Sequence, residues 1–199
     1  MSKTTDICDR RVDAFVAAVN SSPRETVRPP EVPPECVIST SDDMDWVGWR
    51  IVPSNGAPWL LDLEASLPFR LPASFRSLIA RYLFPAFEAH PLVLYSVGVR
   101  DPKLTGEEFR YAIFDAIMFP FLLDKGLLRF ARPHNWSYDP VCFDFRNANR
   151  KSEPGVVRVD HEEILCNDRL RVIETISPAF HELMEDMTRS LQHRRKTSS

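Results

Sequence analysis

The second half of the chain alternates apolar and polar residues with the two-residue period of β-strands. Successive strand side chains point to opposite faces, so Phe143 and Cys142 are predicted to face opposite ways. The segments with this pattern are 127–132, 141–145, 156–160 and, more weakly, 170–174. We expect 141–145 and 156–160 to form an antiparallel hairpin. Its valines and phenylalanines should be buried on one face, under a C-terminal helix over 177–192.

Helical spacing of apolar residues predicts four helices and separates them from two further strand segments. The predicted helices are 6–20, a segment from Pro72 to Pro85, 105–126 and 177–192, and the strand segments are 46–61 with its turn and 91–99. In the third helix, Thr105 and Glu108 form a capping-box pattern, Pro120 interrupts the buried stripe and Gly126 ends it. That stripe includes Ile117. For the last helix, Ser177 is the expected cap.

Helices and strands occur in blocks and do not strictly alternate, which favours an α+β fold. We predict a single domain with a mainly antiparallel sheet packed against helices and a C-terminal helix that closes the core. Residues 1–45 are predicted to be an N-terminal helix followed by a proline-rich arm. Residues 46–192 form the predicted domain, and 193–199 a basic, flexible tail.

The composition limits the possible functions. Only 6 glycines accompany 17 prolines, and neither GxxxxGK[ST] nor GxGxxG occurs, so the common phosphate-binding loops are absent from the sequence. A net charge of -3 argues against general nucleic-acid binding, which needs a basic face. We therefore expect no direct nucleic-acid partner and no nucleotide cofactor.

The four cysteines are widely spaced and contain no CxxC pair, which argues against a metal framework and predicts reduced thiols. The N-terminus MSKTTDICDRR is polar and lacks the apolar core of a secretory signal. Apolar stretches are shorter than the roughly 20 residues of a membrane helix. The expectation is a cytoplasmic protein without a membrane partner or a cofactor.

The hairpin region contains the residues with potential chemistry. A Cys142–His161 hydrolase is one alternative, although the sequence offers no oxyanion element beside it. A metal site built from 160–163, with His181 and Glu185 on the last helix, is another, but HExxH-type spacing is missing. We predict neither a catalytic residue nor a metal ligand in this chain. The competing structural interpretation is that Cys142 is a buried strand residue and His161 satisfies a loop.

The remaining interpretation is a surface for a partner. Asp160, Glu162 and Glu163 form an acidic run that would attract a positively charged surface. Trp46 and Trp136 are flanked by polar residues, and tryptophan is enriched at binding hot spots. These five residues are the predicted partner-binding residues. In the alternative, Asp160 and His161 cap local backbone and only the glutamates stay available.

Several sequence pieces resemble the SUKH superfamily, the Smi/Knr-like domain. They are the strand motif VCFD at 141–144, GVV at 155–157 leading to DHEEIL at 160–165, and ISPAF at 176–180, which opens the terminal helix. Upstream, LEASLPFRLPASFRSLI is similar to the family's acidic residue followed by its "LP.sfr.li" pattern. The resemblance covers about residues 63 to 187. Residues 1–45 match nothing in the family.

This resemblance implies a single α+β domain that has no known catalytic site. Bacterial members look mostly like immunity proteins that bind and neutralise a cognate toxin, often a nuclease. The expected function is therefore a non-catalytic binding protein whose partner is a toxin domain with a basic surface. A regulatory or adaptor module that binds a host protein is the alternative from a different class.

Overall fold

The structure is a computed structural model that describes residues 3–21, 32–40, 47–97, 115–134, 137–146 and 153–197. The helices are α1 (Lys3–Ser21), α2 (Trp59–Ala65), α3 (Ala73–Arg81), α4 (Met118–Asp124), α5 (His161–Asn167) and α6 (Phe180–Thr197). The strands are β1 (Val37–Thr40), β2 (Val47–Trp49), β3 (Val52–Pro53), β4 (Tyr82–Leu83), β5 (Phe87–Ala89), β6 (Leu92–Leu94), β7 (Leu127–Pro133), β8 (Val141–Asp144), β9 (Gly155–Val159) and β10 (Val172–Ser177).

Strands β5 to β10 form one six-stranded antiparallel sheet, in which each strand lies beside its neighbours in the sequence. The predicted hairpin is present, with Phe143 opposite Val156 and Val141 opposite Arg158. Two smaller pairs, β1–β2 and β3–β4, lie outside this sheet. The predicted α+β fold with an antiparallel sheet and a C-terminal helix is confirmed.

The expectation that the hairpin buries its valines on a single face is wrong. Phe143 and Val156 pack into the main core with α1, α3 and α6, whereas Val157 packs into a second cluster on the opposite face. Residues from α4 and α5 cover that second face, including Met118 and Ile164. Because both faces of these strands are buried, apolar residues occur on both, and they do not mark a single buried face.

Four phenylalanines form the centre of the main core. Phe130 and Phe143 stack with ring centroids 3.9 Å apart, and the edges of Phe75 and Phe180 pack against them at 5.1–5.5 Å. Stacked and edge-to-face pairs each add about 0.5–1.5 kcal/mol beyond area burial. These contacts join helices α3 and α6 to the two central strands of the sheet, β7 and β8.

Helix α1 is a layer of the domain. Phe15 and Val19 are fully buried in the main core. The Asn20 amide group also pairs with the backbone of Ile51, donating to its oxygen and accepting from its N–H, both at 2.8 Å. The proline-rich stretch 22–31 lies outside the described residues, so the division into an arm and a domain stays a prediction.

The helix predicted to reach Pro85 ends earlier, at Arg81. Its last residues give way to β4, and Phe84 forms an antiparallel bridge with Val97. The residue before a proline is disfavoured in helical conformation, which accounts for the extended chain at Phe84. Strand β5, which follows directly, was not predicted because three residues show no reliable periodicity.

Most of the helix predicted over 105–126, including its capping box, lies outside the described residues. What the structure shows is α4, which begins at Met118 and places Pro120 in its first turn, where proline is tolerated. Ile117 was expected on the buried stripe, but it is 70% exposed. Gly126 ends this region as predicted, with a φ of 73° that other residues rarely adopt.

The last helix begins later and ends later than predicted. Ser177 belongs to β10, and its hydroxyl donates to the oxygen of Ala179 at 2.9 Å, so Ser177 is not the helix cap. Helix α6 starts at Phe180 and continues to Thr197, into the segment predicted to be a flexible tail. Basic residues near a helix C-terminus interact favourably with the helix dipole and support this extension.

Candidate functional site

The acidic run begins with a residue that has a structural role. Asp160 is the N-cap of α5, and its Oδ1 accepts hydrogen bonds from the N–H groups of Glu162 and Glu163 at 3.0 and 3.2 Å. Such a cap satisfies backbone donors that a helix leaves unpaired. Arg171 approaches its other oxygen at 3.5 Å. The alternative in which Asp160 caps local backbone therefore matches the structure.

A second carboxylate, which was not predicted, lies behind this cap. Asp139 is buried just before β8, and its Oδ1 faces both the N–H of His161 at 3.1 Å and the His161 Nδ1 at 2.7 Å. The imidazole is therefore held through Nδ1, so Asp139 fixes the orientation of the ring. The carboxylate also lies at the N-terminus of α5, where negative charge is favoured.

The other oxygen of Asp139 binds an arginine of β9. Arg158 donates to Oδ2 through Nε at 2.8 Å and approaches the same oxygen through Nη2 at 2.7 Å, so two guanidinium nitrogens contact one carboxylate oxygen. Burial acts to raise the pKa of Asp139, but the hydrogen bonds from His161, Ser137 and Arg158 outweigh it and lower the pKa to about 2. The carboxylate is consequently ionised at neutral pH and fully engaged.

Three potential metal ligands meet here, because Asp139, Asp160 and His161 bring donor atoms within 4.8 Å of one another. The arrangement does not fit a cation. The Asp139 oxygens are taken by His161 and Arg158, and Asp160 binds the α5 backbone with Arg171 nearby. A metal would have to displace these donors and sit among guanidinium charges, which is electrostatically unfavourable.

The cysteine of the region faces elsewhere. Cys142 is fully buried in the second apolar cluster, beside Leu122 and Val157. This burial raises the pKa of its thiol well above the ordinary range. A nucleophilic cysteine needs a lowered pKa and a base within reach. The raised pKa and the apolar surroundings of Cys142 do not meet these conditions. Cys142 is thus the buried strand residue of the structural interpretation.

The outer side of α5 carries the available charge. Glu162 is exposed and Glu163 is half-buried. Leu165, four residues after His161 on the same helix face, is 49% exposed, and Tyr138, whose ring lies 5.9 Å from that of His161, is 75% exposed. Apolar and aromatic side chains thus lie beside carboxylates; we call Tyr138, Glu162, Glu163 and Leu165 the α5 surface.

A small cavity of about 220 Å³ lies at the same end of the sheet as Asp139 and opens beside Arg158. Glu174 lines it too, with an oxygen 3.9 Å from Arg158 Nη1. Drug-sized ligands occupy roughly 300–1,000 Å³, so this cavity suits at most a side chain or a small ion. Its arginine is already paired with two carboxylates and is not free to bind an anion.

Of the five predicted partner-binding residues, the structure brings three together around the start of α5. Asp160 caps the helix, and Glu162 and Glu163 follow it. Trp46 and Trp136 lie outside the described residues. Reasoning from sequence missed Asp139 and Arg158. The sequence does carry a signal for the role of Asp160 as a helix cap, because Asp160 and Glu163 have the spacing of a capping box.

A scan against protein-family models returns no match, and no curated protein matches the chain. The SUKH resemblance accordingly rests on the sequence pieces quoted above and stays a prediction. Within the described part of the chain, no helix combines the length and the apolar content that crossing a bilayer requires.

Proposed function

We propose that this protein is a non-catalytic binding protein, similar to SUKH immunity proteins, that neutralises a cognate toxin such as a nuclease through protein–protein contact. The observation that carries the proposal is the α5 surface. It combines exposed Glu162 and exposed Leu165 on α5 with exposed Tyr138, whose ring lies 5.9 Å from that of His161 at the start of the same helix. Protein–protein interfaces commonly have a dry apolar centre and a polar or charged rim, and this combination of side chains suits such an interface.

The division of labour among the carboxylates supports a basic partner. Asp139 and Asp160 are engaged by internal donors, so they stabilise the start of α5. Glu162 then adds negative charge to a surface whose scaffold does not depend on it. Arg171 limits the acidic area on the side of Asp160. Complementary charge mainly speeds encounter and selects the partner.

The chemistry around His161 also favours binding over catalysis. Acid–base or nucleophilic catalysis needs a nucleophile within reach of the base. Within the described residues, Asp139 orients the His161 imidazole, whereas Cys142, the cysteine of the hairpin, is buried in an apolar cluster. The cysteines are free thiols. The proposal places the protein in the cytoplasm, where reduced thiols persist.

The test requires a toxin gene found beside the gene of this protein. Co-expression of that toxin should stop growth, and the wild-type protein should restore it. The double variant Glu162→Lys and Glu163→Lys should slow association, most strongly at low salt where screening is weakest. Because Asp160 still caps α5, the melting temperature of the double variant should fall only slightly, through the loss of favourable negative charge at the helix N-terminus. Stopped-flow binding and thermal melting measure the two effects.

The matched control is Asp62→Lys with Asp124→Lys. Both aspartates are exposed and lie on α2 and α4, so the double variant changes the net charge equally at other places. Association that slows equally in both double variants would reflect net charge alone and contradict the α5 surface. Failure of the wild-type protein to bind or rescue would instead favour a regulatory or adaptor module with a host partner.

A further inference from the structure

A second group of potential metal ligands lies where the β5–β6 turn meets the end of β7. Glu88 belongs to β5, His90 follows β5 in the turn, and His134 follows β7. The backbone N–H of His134 donates to the oxygen of Pro91 at 3.1 Å, which ties the end of β7 to the turn. Two separate parts of the chain therefore hold these three side chains at one corner.

The side chains converge at this corner of the sheet. Glu88 is an exposed residue of β5, and His90 lies just beyond the end of that strand, in the turn. The rings of His90 and His134 have centroids 5.1 Å apart, and Glu88 Oε1 lies 3.5 Å from His134 Nδ1. All three residues are exposed. An ion could therefore reach them, and their side chains have room to adjust.

We propose that Glu88, His90 and His134 form a surface site for a zinc ion or a similar transition-metal ion. Zn²⁺ bonds to histidine nitrogen and carboxylate oxygen are about 2.0–2.2 Å, so two ligands at a tetrahedral angle lie about 3.4 Å apart. The 3.5 Å between Glu88 Oε1 and His134 Nδ1 matches this separation and is long for a charge-assisted hydrogen bond.

The third ligand requires a small rearrangement. The exposed His90 ring reaches the ion by turning about its side-chain torsions, which cost little at a surface. Water completes the coordination, as in sites with three protein ligands. Imidazole nitrogens select zinc, copper or nickel over magnesium and calcium. Arg132 lies two strands from Glu88 in the same row, about 10 Å away, and two residues before His134. Its positive charge opposes a cation at this corner, and the Glu88 carboxylate offsets part of that repulsion.

This site differs from the Asp139 group, whose carboxylates are occupied by backbone and guanidinium donors. It also does not depend on the proposed function. Because all three ligands are exposed, the metal is not needed for folding. Occupancy would instead tie the β5–β6 turn to the end of β7 and give this corner of the sheet a local positive charge.

The experiment is titration of the full chain with zinc chloride by calorimetry at neutral pH, together with the visible spectrum after adding cobalt. We expect one binding event and the absorption of tetrahedral cobalt. His90→Ala and His134→Ala should each weaken zinc binding by more than about tenfold, since even outer-shell partners of a metal are worth that much. Glu88→Gln should weaken it as well.

The control is His193→Ala, which removes an exposed histidine on α6, far from this turn in the sequence. It should bind zinc like the wild-type chain, and circular dichroism should show all variants folded. The proposal is overturned if the wild-type chain does not bind zinc. It is equally overturned if the double variant His90→Ala and His134→Ala retains binding, or if His193→Ala loses as much as the ligand variants.

Discussion

The pair His161–Asp139 and the pair His181–Glu153 share one geometry at the start of two helices. In each pair, the backbone N–H of the histidine donates to a carboxylate oxygen, and the ring Nδ1 lies within hydrogen-bond distance of the same oxygen. The distances are 3.1 and 2.7 Å for His161, and 3.0 and 3.1 Å for His181. Each carboxylate comes from another part of the chain and accepts hydrogen bonds from a helix N-terminus.

The two pairs differ at the second oxygen. Asp139 offers it to the guanidinium of Arg158. Glu153 offers it to Ser74 near the start of α3, accepting from the backbone N–H at 2.8 Å and from the hydroxyl at 2.6 Å. Glu153 thus joins two helix N-termini, α3 and α6. A buried or half-buried carboxylate can thus be compensated either by a formal cation, as in Asp139, or by neutral helix donors, as in Glu153.

The largest expected effect comes from removing the carboxylate that joins two helices. Glu153→Ala should lower the free energy of unfolding by about 3 kcal/mol, since a helix cap is worth about 1 kcal/mol and a hydrogen bond to a charged group about 1.5–3 kcal/mol. Urea denaturation measures the loss. The control Glu182→Ala removes an exposed acid of α6. A loss no greater than that of the control would contradict the joining role.

The arginine-paired carboxylate should have a smaller effect. Asp139→Asn keeps the size of the side chain but removes the charge opposite Arg158, and we expect a loss of about 2 kcal/mol. If the ion pair carries this loss, Arg158→Met should cost less in the Asp139→Asn background than in the wild-type chain. A double-mutant cycle by urea denaturation measures this coupling. Additive losses would show that Asp139 acts on His161 alone.

The smallest effect is a change in acid sensitivity. The pKa of Asp139 falls from an ordinary 3.8 to about 2, so its stabilisation is fully present above about pH 5 and is lost as the pH falls towards 2. The pKa of Glu153 is also lowered: burial opposes this, but the hydrogen bonds from Ser74 and His181 outweigh it. The stability gap between wild type and Asp139→Asn should therefore narrow on acidification. A constant gap would contradict the lowered pKa.

The central sheet was predictable where its strands are long enough to show alternation. Strands β8 and β9 lie within one residue of their predicted limits, since apolar residues alternate there and a polar loop separates them. Strand β5 was missed because its pairing with β6 depends on contacts, not on local pattern. Val157 was predicted to lie under the C-terminal helix but lies under α4 and α5. An alternating pattern shows which residues share a face but not which element covers that face.

The site was less predictable than the fold. The role of Asp160 as a cap depends on residues two and three positions away, so local spacing indicates it. Asp139 binds His161, which is 22 residues away in the sequence, and Glu153 binds Ser74, which is 79 residues away. These contacts depend on how the strands and helices pack, and no local sequence pattern predicts that packing.

The packing of α1 against α6 affects how this chain folds as it is synthesised. Phe15 of α1 is fully buried, and Arg11 of α1 forms an ion pair with Glu185 of α6 at 2.7 Å. At about 5–20 residues per second, the ribosome completes α6 roughly ten to thirty seconds after α1. During that time the apolar face of α1 lacks its later partner and is open to chaperones. Contacts between such distant segments form late and slow folding.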